Sequence, residues 1–132
     1  MEEEKWFTNA LAHADDGEWV EAIKCFEEVL KIAPDWIAAW ETKAACYMNL
    51  HDDENCIPCF DAILKLDPGH VLSWGRKGIS LGNLGRDEEG LTCLDKAIAL
   101  YTPEMADHLP PGYEETLMSV RASTLSRLKT KK

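Results

Sequence analysis

Cys56 and Cys59, with Pro58 between them in the stretch CIPC, are the residues in this 132-residue chain whose types and spacing most suggest chemistry. A CxxC pair either cycles between dithiol and disulfide or supplies half of a tetrahedral zinc site. The redox pair wants a strand leading into a helix, and the four-thiolate site needs a second pair; neither accompanies it. His13, His51, His70 and His108 form no ligand spacing, and no nucleophile, base and orienting group can be assembled from the chain. The expectation is a protein with no catalytic residue, no metal and no cofactor.

The elements that must position these cysteines explain them. Cys25, Cys59 and Cys93 are evenly spaced along the chain, one 34-residue step apart. The same step separates Trp6, Trp40 and Trp74; Ala10, Ala44 and Gly78; Ala22, Cys56 and Gly90; and Phe26, Phe60 and Leu94, with Pro34 and Pro68 keeping the period. Cys59 therefore holds a repeated structural position, and Cys56 fills a slot reserved for small residues. His13 stands in the slot that Tyr47 fills, which makes it a packed histidine. Self-similarity at such a period marks an array of stacked units, each one supersecondary element. Three copies cover roughly residues 3–101.

One copy can be read physically. Trp40, Ala44 and Tyr47 fall at i, i+4 and i+7 and share one face of a helix; Cys56, Phe60 and Ile63 do the same on a second. Polar Asn49 to Asp53 separates the two, and Asp67-Pro68-Gly69 ends the second. Each unit is thus an antiparallel helix pair. The small residues at 10, 44 and 78 are expected to face those at 22, 56 and 90, where the helices approach most closely. Neither helix buries its apolar face alone, so the pairs stack. Pro58, beyond the first turn of the second helix, predicts a late start or a kink there.

This pattern resembles the tetratricopeptide repeat, a 34-residue helix-turn-helix. The first copy carries it on Trp6, Ala10, His13, Gly17, Trp19, Ala22, Phe26, Val29 and Pro34, and the second on Trp40, Ala44, Tyr47, Cys56, Phe60, Ile63 and Pro68. The third, with Trp74, Gly78, Leu81, Gly85, Gly90, Leu94 and Ala97, is weaker, and its proline comes one place late at Pro103. Asn9, Lys43 and Lys77 occupy a slot where the family usually has leucine. The resemblance implies an all-α fold: a right-handed α-solenoid of three antiparallel helix pairs (3–36, 37–70 and 71–104) forming a single domain, closed by a C-terminal capping helix over 113–129. Beyond Tyr101 the repeat breaks down in a stretch, Thr102 to Gly112, where Pro110-Pro111 cannot sit inside a helix. The helix that follows has Leu117, Val120, Thr124 and Leu128 on one side, with Leu125 and Met118 beside them.

Composition sets outer limits. The chain is 45% apolar with a net charge of −10. All 24 acidic residues lie at or before Glu115, against nine basic residues up to position 120, while Arg121, Arg127, Lys129, Lys131 and Lys132 follow. A body this acidic repels phosphate backbones, so no nucleic-acid partner is expected. The acidic Met1-Glu-Glu-Glu start and the lack of a long apolar run predict neither a signal peptide nor a membrane span, hence a cytoplasmic protein. Glu2 to Glu4, Asp15 to Glu18, Asp52 to Glu54 and Asp87 to Glu89 fall at predicted helix starts, where carboxylates cap amides and complement the macrodipole.

The remaining functional expectation follows from the resemblance. In the family, the first helix of each pair lines a concave groove that takes up a peptide or helix of a partner protein. The matching residues are Glu4, Phe7, Thr8, Leu11, Ala14 and Asp15 in the first copy; Ala38, Glu41, Thr42, Ala45, Met48 and Asn49 in the second; and Leu72, Gly75, Arg76, Ile79, Gly82 and Asn83 in the third. The competing expectation is that Phe7, Leu11, Met48 and Ile79 are covered by the chain's own last helix. A subset of the family grips the acidic tails of Hsp70 and Hsp90 chaperones through a carboxylate clamp. Its positions here are Phe7, Leu11, Thr42, Leu72 and Arg76, of which only Arg76 keeps the clamp residue, so the chaperone-tail reading ranks second. The partner is expected to be a protein or peptide, with self-association left open.

Overall fold

The computed structural model describes residues 2–130 and is all-helical, with seven α-helices and one short 3-10 helix among the described residues. It forms two compact units, one ending at Leu66 and the other beginning at Asp67. No helix among the described residues is long and apolar enough to cross a membrane.

The first unit holds α1 (Glu2–Asp15), α2 (Trp19–Ile32), α3 (Ile37–Asn49) and α4 (Asp53–Leu66). Ala10 and Ala22 are fully buried in one cluster with Phe26 and Val29, while Ala39 and Cys46 bring α3 onto the same cluster. A second cluster joins Ala44 to Cys56, Cys59, Phe60 and Ile63, and Trp40 and Tyr47 pack against both. The small-residue slots are indeed the closest approaches, since the Cys56 thiol reaches the Ala44 carbonyl at 3.6 Å.

The second unit holds α5 (Val71–Asn83), α6 (Asp87–Leu100), a 3-10 helix over Pro103–His108 and α7 (Tyr113–Thr130). A β-carbon on Gly78 would lie 2.9 Å from the Gly90 carbonyl oxygen, and one on Gly90 would lie 2.9 Å from that of Gly78. Only glycine lets these backbones come so close. Val71, Leu94 and Ala97 form the core with Tyr113 and Leu117 of α7.

The three helix turns are copies of one geometry. Gly17, His51 and Gly85, at matching positions of the repeat, adopt φ values of 76°, 57° and 80°, in the left-handed region. Their amides, and those of the residues that follow, turn back to the last carbonyls of the preceding helix: Glu18 N–H to His13, Asp52 N–H to Tyr47 and Arg86 N–H to Leu81 at 2.8, 2.9 and 2.8 Å. This double return is a Schellman-type cap. The joints between pairs are copied as well. The indole of Trp40 donates to the Pro34 carbonyl, and that of Trp74 to the Pro68 carbonyl, both at 2.8 Å. In the slot where the family has leucine, Lys43 and Lys77 carry their ammonium groups 5.3 and 5.9 Å from the Trp40 and Trp74 ring centres, a cation–π contact that uses the aromatic face as leucine would.

Two expectations need correcting. Of the late start or kink expected at Pro58, the late start is corrected: α4 begins at Asp53, with the Asp52 carboxylate accepting the Asn55 amide at 3.3 Å. The proline costs the Glu54 carbonyl its helical partner, but both residues face solvent, so water replaces the bond. Asp15 and Asp16 do not open a helix; Asp15 ends α1, and Glu18 precedes α2 without a side-chain cap, its carboxylate 2.9 Å from His13 Nδ1 instead. The stretch after Tyr101 includes a 3-10 helix that Pro103 opens, where its missing N–H goes unused, while Pro110 and Pro111 lie outside any helix.

Candidate functional site

The residues of interest lie on the first helix of each pair, two such helices in the first unit and one in the second. In the first unit α1 and α3 both pack on α2. The residues expected to look outward from them fall into two groups. Thr8, Leu11, Ala38, Met48 and Asn49 are exposed; Phe7, Glu41, Thr42 and Ala45 are half-buried. Leu11 and Met48, 37% and 40% exposed, are the large apolar members of this set most open to a guest, and Trp6 on α1 is as exposed as Leu11.

Phe7 does not stand free. Its ring packs edge-on against Phe26, with centroids 5.8 Å apart, and stacks on Trp36 at 4.4 Å with 17° between planes. Trp36 is the residue from which α3 starts, so this aromatic sandwich ties α1 to the entry of the next helix. The polar residues are also committed locally. Thr8 and Thr42, equivalent in the repeat, donate their hydroxyl protons to the Glu4 and Ala38 carbonyls at 2.9 and 2.8 Å, and Asn49 Nδ2 donates to the Ala45 carbonyl at 2.9 Å. Such i−4 back-bonding turns the threonine hydroxyl protons inward and their oxygen lone pairs outward, while the second N–H of the Asn49 amide remains a donor.

In the second unit, α7 packs mainly on α6 and touches α5 at a few points. The Tyr113 hydroxyl donates to the Leu72 carbonyl at 3.1 Å. A β-carbon on Gly75 would collide with that hydroxyl and sit 2.7 Å from Leu117 Cδ2, so the glycine is the socket that receives the helix. Gly82 lies under the Arg127 guanidinium, and Ile79 packs on the same core. Of the residues expected here, Arg76 is half-buried and Asn83 is exposed. Gly75 and Gly82 thus lie against α7, the Leu72 carbonyl takes the Tyr113 hydroxyl, and the Leu72 and Ile79 side chains are half-buried. Leu11 and Met48 of the first unit stay exposed.

The expected apolar side of α7 is present, with Leu117 and Thr124 buried and Val120, Leu125 and Leu128 half-buried, while Met118 is 51% exposed. Sequence reasoning missed Tyr113, whose phenol is buried and pushed up to about 12 by loss of solvation, partly offset by the Arg76 charge. It also missed the far end of α7, where Arg127 Nε donates to Asp87 Oδ1 at 3.1 Å and a guanidinium N–H of Arg127 to the Thr124 hydroxyl at 3.2 Å. Asp87 is only 3% exposed, so this carboxylate, expected to serve the start of α6, also holds α7. Arg121 pairs with Asp95 midway. A recess of about 260 Å³ lies at the start of α7 between Tyr101, Leu109 and the first-turn carboxylates Glu114 and Glu115.

The cysteines behave as packing groups. All five are buried and none is in a disulfide among the described residues. Burial pushes the Cys59 thiol up to about 11, and those of Cys25 and Cys46 upward too, the reverse of what a reactive thiolate needs. Cys59 donates to the Asn55 carbonyl at 3.6 Å in its own helix. Among the described residues no group of three His, Cys, Asp or Glu side chains could hold a metal ion.

Helix pairs in a regular register, glycine or left-handed turns and a Trp-to-Pro joint define a helical repeat protein. Comparison with known proteins makes this specific: tetratricopeptide repeat models match residues 3–36 and 37–70, and the chain belongs to the tetratricopeptide repeat family. No curated protein matches it in sequence. Solved structures share the fold. The Sgt2 domain of this family from Aspergillus fumigatus has 17% identity over 97% of this chain and 80% of its own, with a TM-score of 0.74. The TPR2B domain of yeast Sti1, solved as a pHsp70 complex, has 19% identity over 96% and 98% with a TM-score of 0.77. The Yersinia enterocolitica type III secretion translocator chaperone SycD has 16% identity over 98% and 86% with a TM-score of 0.79.

Proposed function

We propose that this protein is an adaptor that takes up a peptide or helix of a partner protein on the outward faces of its first helices, with no catalytic step. The observation that carries the reading is the set of exposed large apolar residues on these helices, Trp6 and Leu11 on α1 and Met48 on α3. Family membership supports interaction as the type of work, and the yeast Sti1 domain, by its description a complex with Hsp70 material, supports a peptide as the type of guest. Five thiols outside any disulfide suit the reducing cytoplasm in which we place it.

The test is capture of partners from native lysate, repeated with Glu41 and Arg76 reversed in charge. Loss of the captured set supports the reading; an unchanged set contradicts it. A chaperone-tail guest is the second reading, favoured by Arg76 alone. Micromolar binding of a peptide ending in EEVD would put it first.

A further inference from the structure

Thr102 stands apart from the other hydroxyl side chains of the protein. The sequence has seven threonines. Six of them, Thr8, Thr42, Thr92, Thr116, Thr124 and Thr130, donate their hydroxyl protons to backbone carbonyls three or four residues back, at 2.8 to 3.2 Å. The serines, Ser73, Ser80, Ser119, Ser123 and Ser126, all lie inside α5 or α7. Thr102 alone among these residues lies outside the helices. It is exposed, its side chain caps nothing, and its backbone is extended at φ −130° and ψ 153°. Tyr101 before it is extended as well, at φ −67° and ψ 135°. Pro103 imposes this, because its ring drives the preceding residue out of the helical region.

A hydroxyl in this state can do what the others cannot. Phosphoryl transfer requires the acceptor oxygen in line with the γ-phosphorus of a nucleoside triphosphate, with its proton available to a base. A back-bonded helical threonine has its proton committed and its backbone wound away from an enzyme's groove. The residue after the acceptor matters too. Pro103 has no N–H, so a groove that offers no acceptor at that place loses nothing with proline and strands a donor with any other residue. The chain beyond is lightly held, since no residue of the Pro103–His108 3-10 helix is buried. From these observations we propose that Thr102 is a phosphorylation site for a proline-directed protein kinase. The Thr102 oxygen bonds to the γ-phosphorus, the bond from that phosphorus to the β–γ bridging oxygen breaks, the nucleoside diphosphate leaves, and the hydroxyl proton passes to the kinase's carboxylate. The product carries a charge of about −1.5 to −2 on the link between α6 and α7.

The test incubates the full chain with a purified proline-directed serine/threonine kinase and magnesium ATP, and locates phosphate by tandem mass spectrometry. One phosphate is expected, on Thr102, and none in Thr102→Val. Pro103→Ala keeps the hydroxyl, and its phosphorylation is expected to be at least about tenfold slower. Circular dichroism shows that both variants fold. The chain isolated from its native cells with phosphatase inhibitors present is expected to carry the same phosphorylated peptide. No phosphate, phosphate mainly on another residue, or equal rates for Pro103→Ala and the unaltered chain overturns the proposal. So does a native chain whose Thr102 is wholly unmodified.

Discussion

In both compact units an antiparallel helix pair is followed by a third helix that packs on the pair's second member, but the two units solve the same contact with opposite sizes. In the first, Phe7 projects from α1 and stacks on Trp36 at the entry to α3. In the second, the residue two repeats on is Gly75, and the large partner comes from the other side as Tyr113 at the start of α7. Knob and socket have changed owners. The lesson concerns what each arrangement leaves open. In both, the third helix lies mainly on the pair's second member and meets the first member through Trp36 on Phe7 in one unit and Tyr113 on Gly75 in the other. The first unit leaves Leu11 and Met48 exposed on its first helices, while in the second Asn83 is exposed and Leu72 and Ile79 are half-buried.

The comparison breaks most visibly if α7 is not integral to its unit. Leu117 is fully buried, so Leu117→Ala is expected to cost about 3 kcal/mol, the scale of a large-to-small change in any tight core. Denaturant unfolding followed by circular dichroism reads it, and a loss near zero would make α7 a loosely held lid. Next is the socket itself. Gly75→Ala is expected to destabilise by about 2 kcal/mol, since Tyr113 and Leu117 must move. Much of that should disappear in the Tyr113→Phe background, where the colliding hydroxyl is gone, so the double variant loses less than the two single variants summed. Additive losses would show that the hydroxyl does not fill the socket.

A smaller effect tests whether the turns are one device. His51 adopts the left-handed conformation that Gly17 and Gly85 adopt at the matching positions. His51→Gly is therefore expected to stabilise the first unit by about 0.5 to 1 kcal/mol, after the entropy lost by glycine is set against the relief of strain. A destabilisation in thermal melts would mean that the imidazole makes a contact worth more than the strain.

How much is legible in the sequence follows from repetition. Each packing slot occurs three times, so Ala10, Ala44 and Gly78 identify one another and the helix pairs follow from period and turn residues. The same register assigns Cys56 and Cys59 to the core, where both are buried. The left-handed turn at His51 is readable too, because Gly17 and Gly85 bracket it, but a histidine gives no local sign of positive φ. Contacts made once lack such corroboration. Gly75 inside a helix looks like a weak helix former until Tyr113, distant in the chain and outside the repeat, is seen to need the space. The register assigns Phe7 to the groove, and what encloses it is Trp36, an aromatic with no counterpart at His70 or Glu104. Prolines announce the break after Tyr101, but they do not specify the 3-10 helix that fills it. Asp87 is legible as a helix-start acid, and only the fold brings Arg127 to it.

Methyl groups permit the most direct test of the central claim, because among the described residues each unit displays one exposed methionine: Met48 on α3 and Met118 on α7. With the methionine methyls labelled with carbon-13, an amphipathic helical peptide bearing leucines at i, i+3, i+4, i+7 and i+11 is titrated into the full chain and the methyl resonances are followed by NMR. The account predicts that the Met48 resonance moves and saturates while that of Met118 stays in place. Movement at Met118 with Met48 unperturbed would contradict it, placing the guest on the second unit.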